Sequence, residues 1–111
     1  MGEEDHSFVF GKKFCVDYSK NGRAKCRKCN KFIEKDLIRV GKNVRFKEKY
    51  ILHYFHVECV FESFKRAKDI SNVITNAKEI AGIQNITDEE RRKIKDFIGN
   101  LDVDRLKRKN L

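Results

Sequence analysis

Cys26-Arg27-Lys28-Cys29 and, after 26 intervening residues, His56-Val57-Glu58-Cys59 are the stretches that decide how this chain folds. Each carries two donors separated by two residues, the spacing at which one turn of chain aims both at a single ion. Three thiolates and an imidazole suit Zn²⁺, which takes tetrahedral sulfur and nitrogen ligands and has no redox chemistry of its own. Cys26, Cys29, His56 and Cys59 fill all four positions, so no place stays open for a catalytic water. One structural zinc ion per chain is the expectation. His53 is the rival imidazole, but it lacks the two-residue spacing to Cys59, and His6 lies far from both pairs. Cys15 has no partner at chelating distance and reads as a small apolar residue within a strand.

The 111 residues correspond to one ordinary domain with a modest core, for which a metal cross-link supplements apolar burial. Nine Phe and 40% apolar residues exclude a wholly disordered chain, while 39% charged residues imply a wet surface. No run approaches the roughly 18 apolar residues of a membrane span, and the acidic start Met1-Gly2-Glu3-Glu4-Asp5 is unlike a secretory signal. An intracellular chain is expected, in which a Cys-x-x-Cys pair ligates metal rather than forming disulfides.

The net charge of +9 is unevenly spread. Residues 11–50 hold 14 Lys and Arg against Asp17, Glu34, Asp36 and Glu48, net +10, whereas residues 1–10 carry −3 and residues 51–111 carry +2. Three thiolates and one Zn²⁺ remove only one unit between them. A polyanion is the natural partner of such a field, the alternative being that the lysines serve solubility.

Apolar residues alternate from Ser7 to Tyr18 at Phe8, Phe10, Phe14, Val16 and Tyr18, which predicts extended chain, and Gly22 marks a turn before the first Cys pair. Leu37–Val40 and Val44–Phe46 flank Gly41-Lys42-Asn43, read as a hairpin connection, and Tyr50 to Phe55 forms a third β-prone run. After His56 the period changes. Val57, Phe61 and Phe64 recur at helical spacing, predicting a helix to about Lys68 whose first turn holds Cys59. Thr87-Asp88-Glu89-Glu90 is a capping-box pattern ahead of the apolar face Ile94, Phe97, Ile98 and Leu101. Residues 70–86 read as short helical turns over the core. The fold class is therefore α+β, a small antiparallel sheet with a zinc site followed by packed helices. Phe14, Phe32, Phe55, Phe61 and Phe64 are assigned to the core.

The stretch Phe14-Cys15-Val16-Asp17-Tyr18-Ser19-Lys20-Asn21-Gly22-Arg23-Ala24-Lys25 leading into the first Cys pair, the segment Ile38-Arg39-Val40-Gly41, and Tyr54-Phe55-His56-Val57-Glu58-Cys59 resemble the poly(ADP-ribose) polymerase-type zinc finger. The opening Phe14–Tyr18 is especially similar to the amino-terminal finger of type III DNA ligases, which are nuclear and mitochondrial. The likeness continues through Ile80-Ala81-Gly82-Ile83 and Ile86 to Ile94, so it covers residues 14–101, with residues 1–13 an amino-terminal extension and 102–111 a basic tail or linker. It implies a sensor of DNA strand breaks, binding nicked or gapped DNA as a monomer in the nucleus. Two departures stand out. The loop between Arg39 and His56 is short for the family, and Tyr54 takes the place of a usual Trp.

The resemblance assigns Arg23 and Arg39 to phosphate gripping. Lys20, Lys25, Lys42 and Arg45, with Lys28, add phosphate neutralisation. Phe46 and Ile51 match the family's base-stacking loop, and Tyr50 is a further candidate. Alternatively, Tyr50, Leu52 and Tyr54 form the inner face of a strand with Ile51 forced outward.

Catalysis has little support, since no Lys-x-Asp-Gly, phosphate-binding Gly loop or Ser/His/Asp set is present. The ligase resemblance makes the chain the non-catalytic amino-terminal module of an ATP-dependent DNA ligase, with Arg105-Leu106-Lys107-Arg108-Lys109 opening a linker. The competing readings are a zinc-stabilised protein-interaction module and a sequence-specific DNA-binding regulator, the latter requiring a helix that presents base-reading side chains.

Overall fold

The computed structural model describes residues 12–102. In chain order it contains β1 (Phe14–Tyr18), β2 (Ile38–Phe46), β3 (Lys49–His56), α1 (Val57–Phe64), β4 (Ile80–Ala81) and α2 (Asp88–Gly99), with single 3₁₀ turns at Ile70–Asn72, Ala77–Glu79 and Ile83–Asn85. The α+β class is as expected. The strands lie in the order β3-β2-β1-β4, with β1–β2 and β2–β3 antiparallel. β4 joins β1 in parallel, Phe14 beside Ile80 and Cys15 beside Ala81, so the sheet is mixed rather than wholly antiparallel. A two-residue strand carries no periodicity, which is why Ile80-Ala81 reads in sequence as part of the helical turns.

The period of two sorts each strand's side chains onto two faces. Phe14 and Val16 of β1 and Ile38 and Val40 of β2 are buried on one face with Val57, Val60, Phe61 and Phe64 of α1 and Ile94 of α2. Phe64 meets Phe14 edge-on at 5.6 Å between ring centroids, and Phe61 stacks on Phe97 at 5.0 Å. Such ring pairs add about 0.5–1.5 kcal/mol each beyond simple burial. Tyr18 and Phe55 are half-buried against this cluster.

The hairpin turns elsewhere than expected. β2 runs unbroken through Gly41-Lys42-Asn43, and the chain reverses at Lys47-Glu48, where Lys47 has φ 58°. Gly41 serves packing instead of turning: a Cβ there would lie 2.9 Å from Cys15 Sγ and 3.1 Å from a Leu52 methyl. Phe46, Tyr50 and Ile51 accordingly sit on strand ends rather than in a loop.

α1 stops at Phe64, short of Lys68, and the chain tightens there through bonds from the Lys65, Arg66 and Ala67 amides to carbonyls three residues back. The α2 start is as its sequence predicts. Thr87 Oγ1 accepts from the Glu90 amide at 3.2 Å, and the Thr87 amide donates to the Tyr18 hydroxyl at 3.1 Å, tying α2 to β1. The turn at Gly22 is present, with φ 70°. Gly82, at φ 87°, lies so close to β1 that a Cβ would meet the Val16 carbonyl oxygen at 2.6 Å. Phe32 leaves the predicted core: it is 57% exposed, with the Lys25 ammonium 5.2 Å from its ring centroid. Phe8, Phe10 and the basic run 105–109 lie outside the described residues.

Candidate zinc centre and nucleic-acid interface

Two unrelated pieces of chain bring the ligands together. The knuckle of Cys26 and Cys29 closes through the Asn30 amide on the Cys26 carbonyl at 2.8 Å and the Cys26 amide on the Lys31 carbonyl at 2.9 Å. Asn30 takes the left-handed conformation, φ 65°, that the turn needs. The Arg27 amide then donates to the Tyr54 carbonyl at 2.9 Å, docking the knuckle on β3. His56 ends β3 and Cys59 lies in the first turn of α1, so the change from strand to helix delivers the second pair.

The Sγ atoms of Cys26, Cys29 and Cys59 and a ring nitrogen of His56 all lie within 4.8 Å of one another. His56 Nδ1 is 3.4 Å from Cys29 Sγ and 3.8 Å from Cys59 Sγ. A tetrahedral zinc with ordinary bond lengths sets its sulfur and nitrogen ligands about 3.5 Å apart and its sulfurs about 3.8 Å apart, so the donors fit the ion. Burial opposes ionisation of Cys26, yet the Cys29, His56 and Lys28 amides outweigh it and pull the thiol down to about 6. Burial and the neighbouring Cys26 and Cys29 push Cys59 up to about 12. Cys26 and Cys59, driven in opposite directions, do not both ionise without a cation, and a divalent ion resolves the conflict. The centre holds one structural Zn²⁺.

Arg39 is placed in a setting the sequence did not suggest. It stands opposite Asp17 in the β1–β2 register and is only 7% exposed. Its Nε donates to Asp17 Oδ1 at 2.8 Å and its Nη2 to Asp17 Oδ2 at 3.1 Å, while the guanidinium carbon lies 3.8 Å from the centroid of the Tyr54 ring. Nη1 is the nitrogen that Asp17 does not engage. Tyr54 thus packs on the sheet face away from the helices rather than in the main core. A pairing signal existed in the sequence, because Asp17 falls on the phase of β1 opposite to Phe14, Val16 and Tyr18, and Arg39 on the phase of β2 opposite to Ile38 and Val40.

The remaining candidates spread over the knuckle side and the hairpin. Arg23 is exposed directly after Gly22, its amide donating to Asn21 Oδ1 at 3.0 Å. Lys20 is exposed, and with Arg39 and Tyr54 of the sheet and Lys95 of α2 it lines a broad groove of about 1440 Å³. Arg45 reaches the Lys47 carbonyl at 3.3 Å and lies 5.8 Å from the Tyr50 ring centroid. Lys42 is half-buried opposite His53. Phe46 and Ile51 share the sheet's helix-bearing face, yet are 58% and 38% exposed because they lie beyond the reach of α1 and α2. Tyr50 points to the other face with Arg45 and Leu52. Of the two arrangements the sequence allows, the pleat follows the one that sets Tyr50, Leu52 and Tyr54 on one face and Ile51 on the other, so Tyr50 is separated from Phe46 and Ile51, although that shared face is the one away from the helices.

The model of one family, the poly(ADP-ribose) polymerase and DNA-ligase Zn-finger region, matches residues 17–98. Similar proteins include a poly [ADP-ribose] polymerase of Drosophila melanogaster, 28% identical over 92 residues, and poly [ADP-ribose] polymerase 1 of Gallus gallus, 33% identical over 90. A poly [ADP-ribose] polymerase of Sarcophaga peregrina is 32% identical over 89 residues. Each alignment takes in 78% of this chain, but only 9%, 8% and 8% of the respective relatives, so the chain spans less than a tenth of their length. On the ligand set, its geometry and this match, the chain belongs to the poly(ADP-ribose) polymerase and DNA-ligase zinc-finger family.

Proposed function

We propose that this finger binds DNA at single-strand breaks, gripping phosphates with its basic first half and stacking apolar side chains on the base pair that a nick or gap exposes. The observation that carries the reading is the hairpin end, where Phe46 and Ile51 stand exposed on one face between Arg45, Lys47 and Lys49. They sit on diagonal register positions, Phe46 opposite Lys49 and Ile51 opposite Val44, close enough for an aromatic side chain to bridge. Intact duplex offers no open base face to such a pair, whereas a hinge of broken stacking does.

In this reading Arg23, with Lys20, Lys25 and Arg45, supplies mobile phosphate contacts. Arg39 supplies a fixed one through Nη1, pre-oriented by Asp17 and Tyr54. Lys42 contributes charge from the helix-bearing face. Base edges are not read, so the sequence around the break matters little. The unit spans residues 14–101 and acts as a monomer in the nucleus. The similarity of Phe14–Tyr18 to type III ligase fingers supports a place at the amino terminus of an ATP-dependent DNA ligase in single-strand break repair, in the mitochondrion as well.

A protein-interaction role is the second reading, favoured by Phe32 and Leu37, which are 57% and 45% exposed. A sequence-reading regulator has less behind it, because α1 ends before Lys65, Arg66 and Lys68. Binding to one duplex, nicked or intact, titrated across salt, tests the choice. Preference for the nick at every salt concentration supports the proposal. Equal affinity reduces the protein to a general polyanion binder, and no DNA binding favours the protein-interaction reading.

A further inference from the structure

Lys42 of β2 and His53 of β3 are register partners, so two basic side chains face each other directly across the hairpin. Like-signed neighbours in this position oppose pairing when both carry charge. The Lys13 carbonyl accepts from the Asn43 amide at 2.8 Å, which sets Lys13 beside the same strand, with its ammonium 3.2 Å from Asn72 Oδ1. Arg27 joins from the knuckle, held by its amide on the Tyr54 carbonyl. Among the described residues, no carboxylate pairs with Lys42, His53 or Arg27.

Burial lowers the Lys42 pKa, with Lys13 adding to the effect, and burial followed by Arg27 and Lys42 lowers that of His53. The cluster also lies on the sheet face that carries Phe46 and Ile51. One same-face step along the hairpin, about 7 Å, leads from the Val44–Ile51 pair to Lys42–His53. An apolar platform thus runs directly into a cationic floor.

Resting on the break-binding proposal above, we infer that Lys42 and His53, flanked by Lys13 and Arg27, hold the backbone phosphates of the strand whose terminal base stacks on Ile51 and Phe46. Burial and the neighbouring cations favour the neutral form of His53 at rest, and a phosphodiester seated beside Lys42 would favour its protonated, phosphate-binding form. It lies on the opposite sheet face from Arg39 and is a contact separate from that arginine's.

The test uses Lys42→Gln, His53→Gln and the double variant, zinc-loaded, with binding to nicked and intact duplex measured across salt. The inference expects Lys42→Gln to reduce the salt slope on nicked DNA by about one. It expects the double variant to bind the nick several-fold more weakly, with thermal midpoints equal to or above the wild type's. A merely structural pair would lower the midpoint and leave the slope alone. Wild-type affinity and slope in the double variant would overturn the inference while leaving break recognition intact. Loss of nick preference in the wild-type arm would instead sink the break-binding reading, with the slopes still deciding whether this cluster holds phosphate. No DNA binding by the wild type would overturn both.

Discussion

Arg39 and Asp17 close a forked ion pair across β1 and β2, with the guanidinium buried and stacked on Tyr54 and the carboxylate partly open to water. Arg39 is also the β2 partner of His56 in the register with β3, so the pair braces the strand beside the zinc ligand. Removing the carboxylate charge would leave a buried cation without compensation.

Asp17→Asn is therefore expected to destabilise the domain by about 1–3 kcal/mol, less than a fully buried pair would because Asp17 reaches solvent. Chemical denaturation at constant zinc measures this. A loss within roughly 0.5 kcal/mol would place the pair among ordinary surface contacts.

Zinc removal should unfold the domain, because the knuckle, the end of β3 and the start of α1 are joined at the ligand cluster and the core around them is small. Complete chelation is expected to collapse the near-UV circular dichroism, and Cys29→Ser or His56→Ala to do the same. Unchanged spectra after chelation, or elemental analysis giving two or no zinc ions per chain, would contradict a single structural site.

Cys15 is the thiol outside the ligand set. Burial first, and then the Asp17 charge, pushes it up to about 11, so at pH 8 only about one part in a thousand is thiolate. Zinc-loaded protein should resist iodoacetamide at neutral pH. Its slow alkylation should quicken about tenfold per pH unit up to the Cys15 pKa, because the thiolate fraction rises in that proportion. Rapid single alkylation at pH 7, followed by intact mass, would show an open, ionised Cys15 instead.

The zinc centre was legible because spacing and ligand type are written directly in the chain, and the helix after His56 because Val57, Phe61 and Phe64 keep a helical period. The hairpin was not. Gly41 in a basic stretch carries the composition of a turn, and its packing role depends on Cys15 and Leu52, which only the folded sheet brings near. The same holds for Arg39. Its exposure depends on the Asp17 partner across the strand, a long-range pairing that charge counts along the sequence do not reveal. Phe32 misled for a related reason: a bridge between Lys25 and Phe32 next to the knuckle turns the ring outward over the lysine.

If the apolar hairpin end reads broken stacking as proposed, Phe46 and Ile51 set the ratio of affinities for nicked and intact duplex. We predict that Phe46→Ala with Ile51→Ala lowers this ratio tenfold or more, since stacking is worth roughly 1–3 kcal/mol per base. Zinc content, thermal midpoint and salt slope should stay near wild type, because both side chains are exposed and uncharged. Arg23→Ala should instead weaken binding to both duplexes and reduce the slope by about one. A double variant that keeps its zinc, its stability and its full preference for the nick would contradict the claim.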